Sequence, residues 1–195
     1  MVVSRRHRVG LLGGSFNPVH LGHLIIAQDA YEQARLDEVW FIPCHRPPHK
    51  SARDLAAAAH RWVMLCKALA GDSRFVPLDL ELRRGGISYS VDTLEELRRI
   101  YPTTQFYFII GADGVADLPR WKDAERLMQM CQFLVMERPG FVIEGAWASR
   151  CRVIRGHHCN ISSHDIRARL RAGKSIRYLV PDSVFRYIRL RKLYR

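Results

Sequence analysis

The residues with the clearest chemical meaning lie together near the start of the chain: Gly13-Gly14-Ser15-Phe16-Asn17-Pro18-Val19-His20-Leu21-Gly22-His23. Paired glycines let the main chain approach a ligand closely. An apolar run precedes them and a helical pattern follows. The start of such a helix aims unpaired N–H groups and the positive end of its dipole at one place, which suits a phosphate. The spacing is neither G-x-G-x-x-G nor the Walker loop, which requires Gly-Lys-Ser/Thr at its end. His20 and His23 are three apart and share a helix face. Gly22 between them leaves room for a bulky ligand. Two imidazole donors aimed at one phosphate can stabilise the charge that builds up in phosphoryl transfer. The plain alternative is two surface histidines, and the glycine turn ahead of them argues against it.

These residues need a frame. The pattern predicts a strand over 8–12 and a helix over 18–35, with Asn17 as its cap and Pro18 at its first position. A strand over 38–42 leads into a polar, proline-rich loop. Asp54 is expected to cap a helix over 55–70 that Gly71 closes. A strand is expected over 75–82, a turn over 83–88, and a helix over 90–99 capped by Ser90. The apolar strand over 106–110 ends at Gly111-Ala112-Asp113. A helix over 121–130 and strands over 133–136 and 152–154 follow. Ser162-Ser163-His164-Asp165 opens a helix that stops at Gly173, and Asp182 is expected to cap the last one. Alternating strands and helices imply an α/β protein with a doubly wound parallel sheet and right-handed crossovers. The expectation is one domain over 1–195, with a small helical C-terminal subregion from about 160 to 195. Ligands of such sheets bind beyond the carboxyl ends of the strands. The polar clusters at 13–23, 111–113 and 138–140 sit there.

Composition narrows the partners. The 195 residues are 48% hydrophobic and 26% charged, ordinary for a globular chain able to bury a core without disulfides. No apolar run is long enough to span a membrane, and the apolar stretch behind the basic N-terminus is too short for a signal peptide. Cys44, Cys66, Cys131, Cys151 and Cys159 are odd in number and form no CxxC, which fits reduced thiols in a cytoplasm. The run Gly156-His157-His158-Cys159 lacks partners at a familiar ligand spacing, so no metal site is expected. A net charge of +12 and a pI of about 10.0 attract polyanions, whether nucleic acid, ATP, mononucleotides or pyrophosphate. The basic run Arg186, Arg189, Arg191, Lys192 and Arg195 suits a solvated helix face better than a nucleic-acid tail.

The first motif resembles the GxFDxxHxGH signature of the nucleotidyltransferase superfamily. In full it resembles the bacterial nicotinate-nucleotide adenylyltransferase family, with Asn17 where Asp is common. The resemblance runs over nearly the whole chain and implies a Rossmann-like sheet. It implies that Gly13, Gly14, Ser15, Phe16, His20 and His23 bind ATP. Ile161-Ser162-Ser163-His164-Asp165-Ile166-Arg167 resembles the family's ISSTxIR motif, with His164 in place of Thr. That likeness implies that Ile161, Ser162, Ser163 and Arg167 grip the ATP phosphates. Pro47-Pro48-His49-Lys50 resembles the loop that closes over the mononucleotide, with His49 and Lys50 on its phosphate. Gly86-Ile87-Ser88-Tyr89-Ser90-Val91-Asp92-Thr93-Leu94 resembles the SYTxDTL segment, whose main chain near Ser90 would meet the nicotinate carboxylate. Gly111-Ala112-Asp113 followed by Trp121 resembles the GAD…W pattern. There Asp113 would accept from ribose hydroxyls and Trp121 would stack on a pyridine ring. Arg138 matches a nucleotide contact.

The implied reaction is attack of a mononucleotide phosphate on the α-phosphorus of ATP, giving a dinucleotide and pyrophosphate in NAD biosynthesis. The nucleophile is already ionised, so catalysis is positioning plus charge stabilisation by His20, His23 and Arg167. Mg²⁺ would bind through the ATP phosphates. Nicotinate mononucleotide is the implied acceptor, and nicotinamide mononucleotide and phosphopantetheine are its competitors. A basic nucleic-acid-binding protein is the reading from another class. No recognised nucleic-acid motif and no platform of stacked aromatics supports it. The oligomeric state, a homo-oligomer included, is left open.

Overall fold

The computed structural model describes residues 5–47, 55–137, 140–141, 143–157 and 159–195. Six parallel strands form one sheet in the order β3-β2-β1-β4-β5-β6. They are β1 (Arg8–Gly14), β2 (Glu38–Pro43), β3 (Phe75–Pro77), β4 (Gln105–Gly111), β5 (Gln132–Met136) and β6 (Arg152–Ile154). The helices are α1 (Leu21–Gln33), α2 (Ala58–Leu69), α3 (Leu80–Arg84), α4 (Ser90–Ile100), α5 (Ala112–Val115), α6 (Ala124–Met130), α7 (Ser163–Arg171) and α8 (Asp182–Arg191). The chain builds outward from β1 to β3, then returns to β4 on the other side of β1. Strand order therefore reverses between β1 and β4, and a crevice opens beyond their ends, where doubly wound sheets bind ligands. Gly13-Gly14 stands on one side of it and Gly111 on the other.

Strand alternation sorts the core into two layers. Leu12, Val39, Phe41, Tyr107, Ile109, Leu134 and Met136 face one layer, which α1, α2, α7 and α8 cover with residues such as Ala27, Met64, Ile166, Val184 and Ile188. Val9, Leu11, Trp40, Ile42, Phe106, Phe108, Ile110, Phe133 and Val135 face the other, covered by Leu80, Leu94, Leu97, Val115 and Leu127. Among the described residues no helix is long and apolar enough to cross a membrane.

Several boundaries differ from the sequence expectation. The expected strand over 75–82 stops at Pro77, where pairing with Phe41 ends. The chain then turns into α3, which buries Leu80 and Glu81. Asn17 does not cap α1. His20 holds the cap position, and the Asn17 side chain is recruited by residues distant in sequence, described below. Tyr89 rather than Ser90 holds the cap position of α4, and Pro181 rather than Asp182 that of α8, each without a side-chain cap bond. Asp54 lies outside the described residues. The helix over 121–130 begins only at Ala124, because a single turn at Leu118–Arg120 containing Pro119 intervenes.

One buried charge joins the sheet to its first loop. Arg61 on α2 is 1% exposed. Its Nε donates to the Ala56 carbonyl at 3.0 Å, Nη1 to Ser15 at 2.9 Å and to Cys44 at 2.7 Å, and Nη2 to His45 at 3.0 Å. A guanidinium can spread five N–H donors in a fixed fork, and a lysine ammonium cannot. R61A should therefore cost about 3 kcal/mol or more, from carbonyls left buried without donors. R61K should recover less than half of that loss. Urea unfolding of the three proteins checks both.

Candidate active site

Beyond the strand ends lies a cleft of about 840 Å³. Its walls carry Gly13, Gly14, Ser15, His20, His23, Ser90, Gly111, Asp113, Trp121, Ile161, Ser162, Ser163 and Arg167. The structure thus brings together residues that the sequence scatters over 155 positions. A smaller pocket of about 420 Å³ adjoins it and shares His20, Ile26, Gly111, Asp113 and Ile161. Phe16 contributes from beneath: it is 1% exposed and its ring meets His23 edge-on at 5.0 Å. His49, Lys50 and Arg138 lie outside the described residues.

The two imidazoles are stacked, with centroids 3.7 Å apart and planes at 28°. The His20 main-chain N–H donates to His23 Nδ1 at 3.2 Å. Neutral His23 therefore keeps its proton on Nε2. His20 is buried at the start of α1, and its Nδ1 has no hydrogen-bond partner. Burial also drives the His20 pKa down to about 4, so the ring is neutral in the free protein. Gly22 lies against the same ring. A Cβ there would sit 3.1 Å from His20 Nδ1 and 3.2 Å from Cε1.

The glycine loop is held by its carbonyls. Gly14 accepts from the Cys44 N–H at 2.9 Å, Asn17 from Arg167 Nη1 at 2.9 Å and Pro18 from Ser163 Oγ at 2.9 Å. Asn17 Oδ1 accepts from the Ala56 N–H at 3.1 Å and from Tyr194 Oη at 2.8 Å. These bonds explain why an uncharged amide serves where the motif often has an acid. Arg167 keeps a buried Nε without a partner on the cleft wall. Ser162 caps α7, accepting from the Asp165 N–H at 3.0 Å.

At the far end, Trp121 leans edge-on against Phe108 at 5.8 Å and Phe133 at 6.3 Å, so core aromatics steady a ring that also lines the cleft. Asp113 opens α5 on the wall shared by both pockets. The start of α4 is braced by residues the sequence reading missed. Thr93 Oγ1 donates to buried Glu81 at 2.6 Å and receives Arg84 Nη2 at 2.7 Å. Burial raises the Glu81 pKa, against hydrogen bonds from Thr93 and Ser88 and the charge of Arg84. Lys122, also on the wall, pairs with Asp92 at 2.8 Å. Arg61, Glu81 and Tyr194 carried no local signal, because their partners are distant in sequence. Among the described residues, no group of three or more His, Cys, Asp or Glu is placed to hold a metal ion.

Residues 11–169 match the cytidylyltransferase-like family model. A probable nicotinate-nucleotide adenylyltransferase of Thermus thermophilus is 45% identical over 188 residues, spanning 96% of this chain and 100% of the relative. One from Halalkalibacterium halodurans is 41% identical over 189 residues, spanning 96% and 91%. The chain belongs to the nicotinate-nucleotide adenylyltransferase family. The fold agrees: Plasmodium falciparum nicotinic acid mononucleotide adenylyltransferase complexed with NaAD superimposes with a TM-score of 0.80 at 23% identity, over 96% of this chain and 97% of that one.

Two outcomes follow for this adenylyltransferase. The unfolded chain takes up a proton on His20 at the ordinary 6.5, whereas the folded chain resists until about 4. His20 therefore costs nothing above pH 6.5 and destabilises the fold as pH drops through that window, by about 2 kcal/mol at about pH 5. Urea unfolding at about pH 7.5 and about pH 5 should show that extra loss in the wild type and not in H20N. G22A should favour the helix by about 1 kcal/mol and yet displace the His20 ring. Its turnover should fall about tenfold or more without loss of thermal stability.

Proposed function

We propose that the protein transfers the AMP part of ATP to nicotinate mononucleotide, giving nicotinate adenine dinucleotide and pyrophosphate. The observation that carries this reading is the stacked imidazole pair at the start of α1, with His20 on the wall common to two adjoining pockets. Two nucleotides laid in those pockets would bring their phosphates together at His20. The larger space, with Ser90 and Trp121, suits the pyridine nucleotide. The smaller suits the nucleoside of ATP.

The mononucleotide phosphate oxygen attacks the α-phosphorus, and the bond from that phosphorus to the bridging oxygen breaks as pyrophosphate departs. The attacking oxygen is already anionic and needs no base. His20, His23 and Arg167 donate to the phosphate oxygens as charge spreads over them. A triphosphate beside His20 favours its protonated form, offsetting the burial that keeps it neutral. Arg167 is held for this role by the Asn17 carbonyl. Mg²⁺ would be held chiefly by the ATP phosphate oxygens and water, and would offset part of the triphosphate charge. The acid form of the acceptor fits the start of α4, an eleven-residue helix whose N-terminus favours a carboxylate. Five cysteines, none of them in a disulfide among the described residues, suit a cytoplasmic setting.

The test is pyrophosphate release from ATP and Mg²⁺ with nicotinate mononucleotide, nicotinamide mononucleotide or phosphopantetheine as acceptor. Nicotinate mononucleotide should be turned over fastest. H20A should lose about 10²–10³ in turnover with its circular dichroism unchanged. Near-normal turnover in H20A would remove the histidine from the mechanism. Salt-dependent binding of RNA without any ATP turnover would replace the reading altogether.

A further inference from the structure

α1 carries a second device behind its histidines. Asp29 lies six residues after His23 and is 3% exposed. A buried carboxylate is costly unless donors satisfy it. Both donors come from one residue far along the chain: the His157 main-chain N–H reaches Oδ2 at 2.8 Å, and His157 Nδ1 meets Oδ1 at 2.8 Å. The His157 side chain is 86% exposed, so the segment is gripped by its polar atoms and not by burial of the ring. At Gly156 a Cβ would lie 2.2 Å from Asp29 Oδ2 and 2.7 Å from its Cγ, so no side chain fits beside the carboxylate. Gln33, one turn further along the same helix face, donates to the Arg155 carbonyl and accepts from Arg152 Nη2 at 2.6 Å. Asp29 and Gln33 thus rail the 152–157 segment to α1.

What that rail positions is the wall of the smaller pocket. Gly156, His157, Cys159, Asn160 and Ile161 line it together with His20 and Gly22, and Ile161 is followed by Ser162, Ser163 and Arg167 of the start of α7. We propose that Asp29, with Gly156 making room for it, is a positioning residue for the nucleoside triphosphate: it sets Gly156 and His157, and with them the wall that Cys159, Asn160 and Ile161 continue, against the histidine end of α1. Ser90 and Trp121, on the wall of the larger cleft, belong to other parts of the chain. The inference rests on the reading above that ATP takes the smaller pocket.

Calorimetric titration of the full chain with an α,β-methylene ATP analogue plus Mg²⁺, and separately with nicotinate mononucleotide, tests it. D29A and G156A should weaken the ATP analogue about tenfold or more and leave the mononucleotide within about twofold. D29N should recover binding to within about threefold, since its oxygen still accepts the His157 N–H and its amide can meet the ring nitrogen. H157A keeps the main-chain bond and should show a smaller loss than D29A; with G156A it decides the matter if D29A fails to fold. The proposal is overturned if folded D29A and G156A bind the analogue like wild type, if both ligands weaken in parallel, or if D29N rescues nothing. A wild-type protein that binds neither nucleotide would instead sink the proposed reaction.

Discussion

A loop that offers its amides to phosphate cannot use them to hold itself together, so it must be held by its carbonyl oxygens. In this protein the turn after β1 meets that constraint with side chains brought in from elsewhere. Arg61 takes Ser15, Arg167 takes Asn17, Ser163 takes Pro18, and the Cys44 main chain takes Gly14. The donors come from α2, α7 and the end of β2, three elements that meet only in the folded state. The loop is therefore rigid because the rest of the molecule is assembled around it. Under the proposed function, phosphate recognition then costs little reorganisation, which is the condition under which fixed dipoles stabilise developing charge most strongly.

The same arrangement explains how a helix start becomes reactive. His20 and His23 stack on each other, and Gly22 is the space that lets the first ring lie flat against the helix. Burial keeps that ring uncharged while the site is empty, so the protein does not carry an unpaired cation in its core. In the proposed reaction, arrival of a triphosphate reverses the balance, and the cation forms where negative charge accumulates. The C-terminus joins the same design through Tyr194, whose hydroxyl donates to Asn17 Oδ1.

Much of this was legible in the residue order. Strand and helix alternation announced a parallel sheet, and the glycine–histidine motif lies beside the cleft at the β1 switch point, because both signals are local. The misreadings share one cause. Asn17 and Ser90 are good caps by type, yet long-range bonds claim Asn17, and Tyr89 holds the cap position before Ser90. The alternating residues after Phe75 suit a strand, but β3 lies at the sheet edge and loses its partner at Pro77. Arg61, Glu81 and Asp29 are charged residues that a sequence reading assigns to the surface. Their burial depends on carbonyls, hydroxyls and amides contributed from distant positions, and no window of sequence holds both partners.

The central claim is that the His20 ring meets the triphosphate. ¹⁵N NMR of the histidine side chains during titration with MgATP addresses it directly. The account requires the His20 ring nitrogens to move from the pattern of a neutral imidazole toward that of a hydrogen-bonded, protonated one as ATP binds. Saturation of the site by MgATP with no change at His20 would contradict it.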